Sequence, residues 1–160
     1  MRRRLAALGV AVIALGACSD RDADGAGELP DLALAPLSGD GAALELADLR
    51  GPAVVNLWAT WCAPCRRELP AFQEASEARP DVRFIGIDIG EDAAKAQEFI
   101  DELGVSFDQF VDARGELTDA LGTAALPVTL VVDADGTVAT EHLGPMTVDD
   151  LDDAIAELGS

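Results

Sequence analysis

Cys62 and Cys65 are separated only by Ala63 and Pro64. At that spacing two sulfurs can close a disulfide without unfolding what surrounds them. A pair that opens and closes in this way exchanges with other thiols and disulfides by attack of a thiolate on sulfur. The thiolate is favoured at a helix N-terminus, where unpaired N–H groups and partial positive charge collect. Pro64 suits a first helical turn, because its φ is preset and it has no N–H to lose. Cys62 comes first and is expected to be the more exposed, hence the attacking sulfur. Cys65, one turn further in, is the resolving partner.

Such a pair needs a strand that delivers it and a helix that starts on it. Val54, Val55, Leu57 and Trp58 form the short apolar run of a strand covered on both faces. The helix is expected from near Cys62 to about Ala78, with Leu69, Phe72, Ala75 and Ala78 as its inner stripe. Pro70 falls inside it and is expected to remove one hydrogen bond and bend the axis.

The remaining elements follow in order. Leu32–Ala35 and Leu44–Leu46 flank the turn cluster Ser38-Gly39-Asp40-Gly41 and read as a small β-hairpin at a sheet edge. Residues 47–51 read as one helical turn. Val82–Asp88 is a second central strand. Glu91–Leu103 is a helix, with Ala94, Phe99, Ile100 and Leu103 facing inward and Gly104 as its stop. Phe107–Val111 is ambiguous, and Arg114–Leu121 is helical. Pro127–Asp133 and Thr137–Leu143 form a hairpin around Ala134-Asp135-Gly136. A closing helix begins at Thr147 and buries Leu151, Ile155 and Leu158. A strand–helix–strand unit joined to an antiparallel hairpin implies an α/β fold with a mixed sheet covered on both faces.

The 160 residues carry 30 acidic and 11 basic side chains, a formal net charge of −19. Three of the bases, Arg2, Arg3 and Arg4, open the chain and are followed by the uncharged stretch Leu5–Ala17. That stretch is too short for a permanent bilayer span and reads as a secretory signal peptide. Without it the chain is more acidic still, so nucleic acid and anionic lipid headgroups are poor partners. A core of this size stands without disulfide staples, which leaves chemistry to explain the cysteines.

The segment ends Leu15-Gly16-Ala17-Cys18, which resembles the lipobox of bacterial lipoproteins. The resemblance implies cleavage before Cys18 and a diacylglycerol on its thiol. The alternative is an ordinary cleaved signal with Cys18 a bystander. The expected organisation is a leader over 1–17, a polar acidic tether over 18–28 and one folded domain over 29–160.

Two stretches, Val55–Pro70 around Trp61-Cys62-Ala63-Pro64-Cys65 and Leu126–Gly136, together with this element order, resemble the thioredoxin fold. More narrowly, they resemble membrane-tethered thiol-disulfide oxidoreductases of the TlpA/ResA type. The resemblance covers residues from about Leu29 to the end, with the first hairpin as an N-terminal extension. It implies a cis Leu126-Pro127 bond packed against the cysteine pair. The backbone before that proline, with Trp61, Ala63 and Pro64, would bind an extended substrate. Glu68 stands where the family often has an acid that exchanges a proton with Cys65. A solvated helix acid is the other reading of Glu68. Asn56 departs from the buried aspartate of thioredoxin itself and cannot titrate.

The resemblance implies no cofactor beyond the redox-active disulfide. It implies protein disulfide and dithiol partners, a membrane thiol carrier as electron donor and a place on the extracytoplasmic face of the membrane. The usual task is reduction, often of apocytochrome c cysteines, although some secreted relatives oxidise. A soft-cation module using Cys62, Cys65 and Met146 or His142 is a competing class, and a peroxidase is another. His142, the sole histidine, reads otherwise as structural or exposed. Trp58 and Trp61 read as packing, with Trp61 also a candidate docking residue.

Overall fold

Strand β4 (Ala53–Trp58) is buried at all six positions and forms the middle of the sheet. A computed structural model describes residues 27–159, Glu91 excepted. In it β4 pairs in parallel with β5 (Arg83–Asp88) and antiparallel with β7 (Val128–Val132). Helix α1 (Ala63–Ala78) makes the crossover from β4 to β5. After α2 (Ala93–Glu102), β6 (Asp108–Val111) adds in parallel to β5. Helix α3 (Glu116–Leu121) leads to β7, which turns into β8 (Thr137–Leu143), and α4 (Val148–Ala156) follows.

The expected hairpin is β2 (Ala33–Pro36) and β3 (Leu44–Glu45), and it extends the sheet at the β6 edge. At the opposite edge, β1 (Gly27–Glu28) runs antiparallel to β8, opposite Val138 and Thr137. The sheet order is β1-β8-β7-β4-β5-β6-β2-β3. Gly27 and Glu28 therefore belong to the folded domain rather than to the tether, because β8 supplies their ladder partners. The leader, Cys18 and the tether up to Ala26 lie outside the described residues.

Three apolar patches hold the layers together. One, around Leu46, Leu57, Leu117 and Leu130, lies on one face of the sheet. A second, around Phe72, Phe84, Leu151 and Ile155, joins α1 and α4 to the sheet. The third contains Trp58, Cys62, Cys65, Leu69, Phe99 and Ile100. Two expected inner positions are exposed: Ala78, in the last turn of α1, and Ala94. In α2 the buried alanine is Ala96, in phase with Phe99 and Ile100, while Ala94 sits in the first turn where its N–H meets the Asp92 cap. Helix α1 runs unbroken through Pro70, which faces solvent while Leu69, Phe72 and Ala75 pack beneath it. The ambiguous stretch is a strand at Asp108–Val111 because β5 and β2 flank it on both sides.

Candidate active site

The end of β4 delivers the chain to Cys62, which is the N-cap of α1 and joined to Cys65 by a disulfide. The Cys62 Sγ accepts the Cys65 backbone N–H at 3.2 Å, so a helix-terminal donor already points at the sulfur. That donor and the partial positive charge of the α1 N-terminus stabilise a Cys62 thiolate once the disulfide opens. Pro64 occupies the first turn, as its missing N–H allows. Cys62 is 3% exposed and Cys65 0%. The expected order of exposure holds, but narrowly: in the oxidised state both cysteines are buried. Trp61 beside them is 65% exposed, and Ala63 is exposed as well.

The Leu126-Pro127 bond is cis. Pro127 is buried and Leu126 half-buried, and Leu126 packs against the patch that holds both sulfurs. The Pro127 carbonyl accepts the Gly144 N–H at 2.9 Å, which ties this loop to the end of β8.

Glu68 lies three residues after Cys65, on the same side of α1. It is buried, at 3% exposure, so it is not a solvated helix acid. Its Oε1 accepts Asn56 Nδ2–H at 2.9 Å and its Oε2 accepts the Met146 backbone N–H at 3.1 Å. Burial raises its pKa from 4.5 to about 7, and the two donors hold it from rising further. The second Asn56 N–H goes to Thr129 Oγ1 at 3.2 Å. Asn56 and Thr129 face each other directly across β4 and β7. A carboxyl with a pKa near neutrality and fixed donors on both oxygens can take up a proton and release it.

Trp58 is buried, as expected of a packing residue. Its Nε1–H donates to Gln109 Oε1 at 3.0 Å, and its ring stacks on Phe99 with centroids 5.3 Å apart. A Cβ at Gly86 would collide with the Gln109 amide, so the glycine makes room for that hydrogen bond. Arg66 lies 4.5 Å over Phe99 and pairs with Glu102 at 3.2 Å, clipping α2 to the first turn of α1.

His142 is half-buried opposite Thr129, and the Met146 side chain packs in the Phe72 patch rather than with the sulfurs. Among the described residues no three His, Cys, Asp or Glu side chains cluster as metal ligands. The soft-cation reading thus gains no third ligand from either residue. Sequence reasoning missed the donors to Glu68, one from Asn56 and one from the Met146 backbone. The signal for Asn56 and Thr129 was available: each is a polar interruption of a buried strand, where a partner is required.

Residues 25–157 match the family described as Redoxin. The thiol-disulfide oxidoreductase ResA of Geobacillus thermodenitrificans is 32% identical over 125 residues, 76% of this chain and 71% of the relative. The ResA of Halalkalibacterium halodurans is 32% identical over 154 residues, 90% of this chain and 86% of the relative. Among solved structures, a secreted Mycobacterium tuberculosis disulfide oxidoreductase superposes with a TM-score of 0.71 at 27% identity, covering 80% of this chain and 96% of that one. StoA of Bacillus subtilis superposes with a TM-score of 0.66 at 22% identity, covering 77% and 94%. The fold, the disulfide at the head of α1 and these likenesses agree, and the chain belongs to the redoxin family as a thiol-disulfide oxidoreductase of the TlpA/ResA type.

Proposed function

We propose that this oxidoreductase works as a reductant of partner proteins outside the cytoplasm, with Cys62 attacking, Cys65 resolving and Glu68 handling the proton. In the reduced state the Cys62 thiolate attacks one sulfur of a partner disulfide and expels the other as a thiolate, leaving a mixed disulfide. Cys65 then gives its proton to Glu68 and attacks Cys62 Sγ. The Cys62–Cys65 bond forms, and the partner leaves with two electrons gained. The observation that carries the exchange mechanism is the Cys62–Cys65 disulfide at the head of α1, and the buried Glu68 carboxyl, whose pKa of about 7 leaves it ready to accept a proton at neutral pH, supports the proton step. In this reading the two sulfurs carry the electrons and no further cofactor is invoked. A membrane thiol carrier would return the pair to its reduced state, and the cysteines of apocytochrome c are the proposed substrate.

The proposed anchor is a lipid on Cys18, reached after cleavage of the leader at Ala17. Eight residues lie between Cys18 and Gly27, so even fully extended they hold the domain within about 30 Å of the bilayer. No described helix is long and apolar enough to cross a membrane. Trp61, Ala63, Pro64, Leu126 and Pro127 are the proposed substrate-binding residues, supported by their place around the disulfide.

The direction of transfer is tested by the reduction potential of the Cys62–Cys65 pair. A reductant is expected near that of thioredoxin, about −270 mV; a value near that of DsbA, about −120 mV, would make the protein an oxidant. Metabolic labelling with a fatty acid tests the anchor, which is refuted if Cys18→Ala leaves the protein on the membrane.

A further inference from the structure

Trp61 and Leu143, 65% and 55% exposed, are the large apolar side chains left open among the described residues. A single exposed leucine calls for no explanation. Here both lie at the same end of the sheet. Leu143 closes β8 directly opposite Val128, the residue after Pro127, and Gly144 is hydrogen-bonded to Pro127. The three segments that meet there, 59–65, 122–127 and 143–147, contain no charged residue. From Gly27 onward the chain carries 27 acids and 7 bases, so an uncharged rim around the disulfide stands out from its surroundings. The other loops at this end, after β5 and β6, do carry charge, with Asp92, Asp112 and Arg114.

Charge returns asymmetrically at the borders. Arg66 is paired with Glu102, and Arg114 with Glu116. Arg67 is exposed on the α1 side. On the β8 side Glu141 is exposed two residues before Leu143, on the same face and about 7 Å away.

We propose that this rim, prolonged by Leu143 and bordered by Glu141, docks an extended polypeptide segment with an apolar side chain near its reacting cysteine and a basic side chain beyond it. The proposal deepens the disulfide-exchange function and names the class of substrate it selects. Leu143 supplies apolar area that the free protein leaves in water, and Glu141 rewards the basic residue that follows. Leu143 acts as a specificity residue and touches no reacting atom.

The test uses fully reduced protein and cyclic disulfide peptides of equal length whose second cysteine is followed by Leu-Lys, Leu-Glu or Ser-Ser. Half-saturating concentrations and maximal rates are read in single turnovers by quenched alkylation. The wild type is expected to prefer the Leu-Lys peptide over Ser-Ser by roughly five-fold in half-saturation. Leu143→Ser should abolish that ratio while the maximal rate for each peptide changes little. Glu141→Lys should invert the order of Leu-Lys and Leu-Glu, and added salt should compress it. Equal half-saturation for all three peptides, or an unaltered ratio in Leu143→Ser, overturns the docking surface. Failure to reduce either the peptides or hydroxyethyl disulfide overturns the exchange reaction itself, and the docking proposal with it.

Discussion

Replacing Glu68 with Gln should remove the pH dependence that this carboxyl gives to stability and impair the chemistry at the same time. The carboxyl titrates near 4.5 when unfolded and at about 7 in place, because burial penalises its charge more than the Asn56 and Met146 donors restore. The folded state holds this proton more tightly than the unfolded one. Its contribution to stability is therefore greatest below pH 4.5, falls as pH rises through 4.5 to 7, and stays low above that. The shift corresponds to about 3 kcal/mol at pH 8. An amide does not titrate, but it has one acceptor where the carboxyl has two, so one of the two N–H donors loses its partner at a cost of about 1–3 kcal/mol at every pH. In urea titrations at pH 4, 6 and 8 the stability of Glu68→Gln relative to wild type should therefore rise by up to about 3 kcal/mol from pH 4 to pH 8. In thermal scans that change is on the order of 10 °C in the Tm difference. Over the same range its rate of disulfide exchange should lose the inflection near pH 7. A stability difference that stays flat between pH 4 and 8 would refute the assignment of a raised pKa to this carboxyl, and an unchanged rate profile would refute its proton role.

Other changes should act through the same scaffold. Asn56→Ala removes a donor that lowers the pKa of Glu68, so the inflection in the rate profile should move above pH 7; a profile that does not move would separate Asn56 from the proton step. Gly86→Ala drives a methyl into the Gln109 amide and displaces the partner of Trp58. A loss of about 1–3 kcal/mol is expected in denaturant titration, and an unchanged midpoint would contradict the close approach. Thr147→Ala breaks the capping box that Thr147 and Asp150 form at α4, with an expected loss of about 1 kcal/mol by the same measurement; no loss would show that the cap is dispensable.

Much of the fold was legible because its local signals agree with its packing. The apolar run before Cys62 could only be a covered strand, and Asp135-Gly136 marks its hairpin with a positive φ at Gly136. The CxxC and the later proline placed the site. What stayed hidden depends on partners distant in the chain. Strand β6 has a single fully buried residue and becomes a strand through β5 and β2. Gly27 and Glu28 look like tether until β8, more than a hundred residues on, pairs with them. The burial of Glu68 was not readable, since an acid on a helix ordinarily faces water. It is held inside by a side chain 12 residues before it and a backbone N–H 78 residues after it.

The central claim is that Cys62 attacks and Cys65 resolves, and one trapped intermediate tests it. Cys65→Ser, reduced and mixed with a disulfide peptide, removes the resolving sulfur and should accumulate a mixed disulfide. Mass mapping of the isolated adduct is predicted to place the peptide on Cys62. No adduct, or the same yield of adduct from Cys62→Ser through Cys65, would contradict the account.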